Sequence, residues 1–301
     1  MDEIIEVKQA EMLQAINRSE VDMQIATAKQ YPRDLPTVLN KIETYATMDV
    51  ETAADCFYAL RRQGADGNAQ LIEGLSVRMA EIIASAWGNL RVQTRIIGND
   101  GRFITAQGVC HDLETNVAVS KEVKRRITNK YGKTFSDDMQ VTTGNAAASI
   151  AFRNAVLAVV PKAVTKKIIA NVKQVALGQA IDLETGRQNA IANYAKAGVT
   201  EQALCEYLGI SKREEIDKEK LFELKALWNA IKEGTTTVQE TFIKPQQEKN
   251  AATEAQKKAE EAKAKAADSA KRSTAAKTAT APAPANVDPA TGEIFNNETK
   301  K

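Results

Sequence analysis

The stretch LRVQTRIIGNDGRFITAQGVCHDLETNVAVSKEVKRRIT, Leu90 to Thr128, decides the fold. Its opening sets Leu90, Val92, Thr94 and Ile96 against Arg91, Gln93 and Arg95, and a period of two is what a half-buried strand requires. GNDG at 98–101 follows as a hairpin turn, because Asn, Asp and Gly tolerate the positive φ of tight hairpins. RFITAQGVCH is the return strand, DLETN at 112–116 a second turn, and VAVSKEVKRRIT a third strand. The segment is therefore an antiparallel meander of three or more strands.

Helical periodicity surrounds it. A helix is expected over 3–29, stopped by YPRDLP at 31–36, and a second over about 36–47. DVETAADCFYALRRQG predicts a third, with acids in its first turn and Gly64 just past its end, followed by a turn at ADGN, 65–68. SVRMAEIIASAWGN predicts a fourth, with a stripe of Val77, Ala80, Ile83 and Ala84 leading to Trp87 and Gly88 closing it.

Beyond the meander, an Ala-rich helix starts near Asp138 and shows an apolar side of Ala147, Ile150, Ala151, Val156 and Leu157, small enough in part to lie close on a sheet. Pro161 breaks it, and a further helix runs over roughly 162–177. The fold class is α+β: a meander packed with helices, then a small helical module and a disordered tail. Residues 1–89 form a helical N-terminal region, and 37–89 pack with the basic sheet-plus-helix core at 90–178 as one body. Residues 183–234 hold about three helices, the last with a buried face of Leu221, Leu224, Leu227, Trp228 and Ile231. At 245–301 an Ala, Lys, Glu and Pro mixture is too poor in apolar residues to pack.

Composition excludes several classes. No apolar run approaches the roughly 18–20 residues of a spanning helix. The acidic N-terminus MDEIIEVKQAEMLQ lacks the basic and apolar regions of a signal peptide, so the cytoplasm is the expected compartment. Cys56, Cys110 and Cys205 are widely separated and odd in number, which points to buried free thiols rather than disulfides or zinc. His111 is the only histidine, its neighbours Cys110 and Asp112 face the other way along a strand, and no metal or other cofactor is expected. YGKT at 131–134 matches only the end of a phosphate-binding loop, whose first glycine would fall at Ile127, so no ATPase or other enzyme is predicted.

Charge is distributed unevenly. Residues 1–90 carry eight cations and fourteen acids, a net −6; residues 91–173 carry fourteen and six, a net +8; the remainder balances. KEVKRRITNKYGK, 121–133, alone holds six basic residues and one acid. Alternation puts Val117, Val119, Lys121, Val123, Arg125 and Ile127 on one face of the third strand, and Ser120, Glu122, Lys124, Arg126 and Thr128 on the other. With Arg91, Arg95 and Arg102 on neighbouring strands, and Lys130 and Lys133 beyond, this makes an extended positive surface suited to a phosphate backbone. Trp87, Phe103 and Tyr131 offer rings for base stacking. Arg153 lies inside the Ala-rich helix, where a cation needs either a route to water or an anion; a phosphate in a groove between helix and strands would serve.

YPRDLP, GLSVRMAEIIASAWGN, TAQGVCHDLETNVAV, RRIT and NAAASIAFRNAVLAVVPKA, in that order, resemble a group of phage and prophage proteins over about 31–234. Three strands followed by a small-residue helix with an embedded arginine also resemble the phage single-strand annealing recombinases of the Erf and RecT type. That resemblance implies a homo-oligomeric ring or filament that binds single-stranded DNA and pairs it with its complement without nucleotide hydrolysis, Arg153 matching the family's helix arginine. By analogy, 183–301 would recruit a nuclease or a single-strand-binding protein. Two other readings stand beside it. One is a phage scaffold or adaptor assembled by its acidic first third and basic middle. The other is a duplex reader using GVTEQALCEYLGISKREE, 198–215, as a helix-turn-helix, although the second helix would carry Glu214 and Glu215.

Overall fold

In the computed structural model the residues described are 2–63, 69–129, 131–178 and 183–243, all within one compact unit, Met1–Ile243. The expectations for Gly64, the 65–68 turn, Lys130 and the tail at 245–301 lie outside them. The meander forms as its alternation requires. Strands β3 (Leu90–Asn99), β4 (Phe103–Asp112) and β5 (Val117–Arg126) make a three-stranded antiparallel sheet in that spatial order. Arg91 pairs with His111 and Arg95 with Gln107, a bulge follows Ile96, and Phe103 pairs with Arg126 and Gly108 with Lys121. Along β4 the even-numbered residues are buried and the odd ones half-buried, so one face is covered and the other looks outward. The fold is α+β.

Helix α5 (Asp137–Val159) covers the inner face. Gly108 makes this possible: a Cβ there would stand 2.3 Å from the Ala151 carbonyl oxygen, so the helix backbone rests directly on the strand. Ala106, Ala147 and Ala151 fill the space beside it. After Pro161 the chain turns through 117° into α6 (Lys162–Leu177).

The N-terminal third departs from expectation. Helices α1 (Asp2–Gln30) and α2 (Leu35–Ala46) form as predicted, but DVETAADCFYALRRQG is not one helix. Asp49 caps α3 (Val50–Asp55) by accepting from the Thr52 N–H, and the helix stops at Cys56. The chain then enters β1 (Phe57–Gln63), which pairs antiparallel with β2 (Ala69–Leu75), Phe57 opposite Leu75. Tertiary pairing overrides the helical propensity of Ala, Leu, Arg and Gln here. The ring of Tyr58 lies over Gly74, where a Cβ would come within 2.6 Å of it. Helix α4 (Val77–Trp87) follows, with Ser76 as its cap.

The main core joins Ile42, Ala53, Phe57, Ala59, Met79, Ile83, Val156, Ile168 and Val172. Helices α7 (Leu183–Lys196), α8 (Glu201–Leu208) and α9 (Lys218–Lys232) build a second cluster around Tyr194, Leu204, Leu208, Ile216, Leu224, Leu227 and Phe242. Helix α9 also reaches the main core through Phe222 and Ala226, while Asn229 donates to the carbonyls of Ala54 and Phe57. No single described helix is long and apolar enough to cross a membrane.

Candidate nucleic-acid interface

The register fixes which side chains share the outer face of the sheet. From β3 come Arg91, Gln93 and Arg95; from β4, Phe103, Thr105, Gln107, Val109 and His111; from β5, Ser120, Glu122, Lys124 and Arg126. Cations thus stand on both flanking strands, two strand spacings or about 9–10 Å apart, with an uncharged central row between them. Arg95, Lys124 and Arg126 are exposed, and Glu122 is the one carboxylate in these rows. The Arg126 guanidinium sits 5.8 Å from the Phe103 ring centre. Arg91 is tethered at one corner, donating to Gln24 Oε1 of α1 at 2.9 Å.

At the Phe103 end of the sheet, Arg102 occupies the β3–β4 turn, where Asp100 accepts from the N–H groups of Arg102 and Phe103. Those backbone bonds, that of Phe103 first, hold the Asp100 carboxyl below its ordinary range, with a further pull from Lys124 and Arg102. The loop after β5 is pinned to this end by the Thr128–Thr134 bridge and by Thr134 Oγ1 donating to Gly101 O. Within it Asn129 Oδ1 accepts from the N–H groups of Tyr131 and Lys133, and both of these residues are solvent-exposed. Arg102, Phe103, Arg126, Tyr131 and Lys133 therefore gather at one end.

Four predicted residues lie elsewhere. Trp87 is buried in the main core under the Arg33 guanidinium, 4.9 Å from its ring, and cannot stack on a base in this conformation. Lys121 is exposed but belongs to the inner face, opposite Gly108. Arg125, also on the inner face, donates to the carbonyls of Gly234 and Thr235. Burial pulls its guanidinium below the ordinary value, and the charge of Glu240 offsets this in part. Arg153 is buried: it neither reaches solvent nor faces an open groove, but pairs with Glu233 at 3.3 Å and lies 4.6 Å from the Tyr58 ring centre. Burial pushes the Glu233 carboxyl up, against the pull of the Val77 N–H and of Arg153.

Two further arginine clusters escaped the sequence reading. Arg33 forks onto both Asp112 oxygens, at 2.6 and 2.7 Å, and its Nε lies 3.0 Å from Glu114, which ties YPRDLP to the β4–β5 turn. Burial alone would raise the Asp112 carboxyl; Arg33 with the N–H groups of Glu114 and Thr115 outweighs it and holds the group below its usual range. Arg61 of β1 pairs with Glu223 of α9 at 2.6 Å and lies over Tyr207. Arg33 stands between Pro32 and Pro36 in the break separating α1 from α2, but no local spacing joins it to Asp112, 79 positions away.

The three thiols are free and buried. At 211–215 there is no second helix for duplex reading, only a 3₁₀ turn, Arg213–Glu215. No known protein family, curated protein or solved structure matches this chain.

Proposed function

We propose that this chain is an ATP-independent single-stranded DNA-binding and annealing protein of phage-type homologous recombination, acting as a homo-oligomer in the cytoplasm of a bacterial host. The observation that carries the reading is the outer face of the sheet: cations in rows on two strands, an uncharged row with Phe103 between them, and a single acid. Such a face suits a flexible polyanion, because phosphates meet the flanking rows while bases lie on the central one. Arg102, Lys133 and Tyr131 extend it at the Phe103 end. The reading assigns the chain no catalytic residue, metal or nucleotide.

Engagement of Arg91, Arg95, Lys124 and Arg126 with one phosphate each gives log K a slope of about −3 against log salt for a single strand. Titration of a fluorescent oligothymidine at several salt concentrations checks this. A flat salt response, or no binding at low salt, sinks the reading. Pairing of two complementary oligonucleotides should proceed equally with and without ATP, and a requirement for ATP would also overturn it.

The scaffold reading has one observation in its favour. Helix α1 leaves Met12, Ile16 and Met23 exposed, spaced four and seven along one stripe, while Ala28 is buried and Val21 and Ile25 half-buried. An apolar stripe on a helix is a surface for another chain. In the annealing reading that stripe serves self-assembly, and recruitment of a nuclease or single-strand-binding protein falls to 183–301.

A further inference from the structure

We infer that residues 233–235, where α9 ends, act as a built-in competitor that closes a second anion site formed by Arg125 and Arg153. This rests on the nucleic-acid reading and adds a regulatory contact to it. Arg125 and Arg153 come from different elements, β5 and α5, and both turn to the same three residues. Glu233 Oε2 takes Arg153, and the carbonyls of Gly234 and Thr235 take Arg125.

The segment is wedged in place. Gly234 adopts φ 69°, and a Cβ there would lie 2.6 Å from the Ala146 side chain of α5. Glu233 Oε1 meanwhile accepts from the Val77 N–H at the start of α4, at 2.7 Å.

The closure is chemically incomplete. As hydrogen-bond partners, one carboxylate and two neutral carbonyls face two guanidinium groups, Glu240 acts on Arg125 through its charge, and the buried Thr235 Oγ1 has no hydrogen-bond partner. A phosphodiester brings a full charge and two acceptor oxygens suited to the guanidinium fork. Geometry also makes the site continuous with the outer face. β5 is an edge strand, and Arg125 and Arg126 are consecutive on it, pointing to opposite sides. A strand held by Arg126 reaches Arg125 by turning around that edge once 233–235 withdraws. Binding then selects the open arrangement, so the segment sets the affinity.

The test uses the full chain and a fluorescent oligothymidine. Glu233→Gln keeps an acceptor for Val77 N–H and removes the competing charge; it should bind about fivefold tighter or more, within the range of coupled sites. Glu219→Gln, the same charge change on the exposed side of α9, should leave affinity unaltered. In the wild-type chain, the Thr235 and Thr236 amides, which bond to Ala230 O, should exchange hydrogen faster when the oligonucleotide is added. This second readout stands even where Glu233→Gln fails to fold. Salt-dependent wild-type binding, with Glu233→Gln no tighter and the two amides unchanged, overturns the competitor and leaves the outer-face reading intact. Absence of oligonucleotide binding by every variant overturns both.

Discussion

Arg33 shows how much one side chain can hold together. Its guanidinium is almost enclosed, forks onto Asp112, touches Glu114 and covers Trp87. Arg33→Ala would leave two acids without their cation in a part-buried site, and loss of one partner of a buried pair costs about 3–5 kcal/mol. A lowered urea midpoint with an unchanged slope is the expected result. The pH dependence follows from the depressed Asp112 carboxyl. Its contribution is complete above the unfolded value of about 3.9 and is lost as pH falls through the lower folded value. The acid limb of the stability curve should therefore be shallower in Arg33→Ala than in wild type. The same logic separates Arg153 from the surface cations: its partner, Glu233, is 80 residues away in sequence, so a buried ion pair and a phosphate contact look identical from the helix alone.

Among the elements, β3, β4 and β5 were legible because a two-residue period survives in the sequence, although only β4 buries every second residue, while β3 is exposed from Gln93 onward and β5 is at most half-buried on its inner face. Helix α5 was legible through its small residues and through Pro161. The hairpin β1–β2 was not. Phe57 to Gln63 is short, rich in helix-favouring residues, and preceded by a capped helical turn, so the local pattern continued a helix that the structure ends at Cys56. The candidate site was readable to the extent that strand parity sorted Lys124 and Arg126 from Lys121 and Arg125. Parity does not say what covers the inner side, which is why Arg125 was placed with the others. On β5, Lys124→Ala with Arg126→Ala should weaken oligonucleotide binding for all base sequences alike and reduce the steepness of the salt slope by about 1.4, two single-strand contacts' worth. A change confined to particular sequences would mean that these residues read bases instead.

For the whole molecule, α1 is the clearest candidate for assembly. Replacing Met12, Ile16 and Met23 together by Glu charges the exposed stripe without touching Val21, Ile25 or Ala28, so the fold should persist while the sedimenting mass falls to that of a single chain. An unchanged mass would move the assembly surface elsewhere. Beneath this, the contact at Gly108 governs how the molecule can deform. With helix backbone seated on strand backbone at Gly108, and only the short side chains of Ala106, Ala147 and Ala151 packed beside it, little lies between them to shear, so β3–β5 and α5 should move as one stiff plate. Motion is then left to the parts fastened to it by charged links, the YPRDLP corner through Arg33 and the end of α9 through Glu233, and a ligand gripping the plate transmits force to them without bending it.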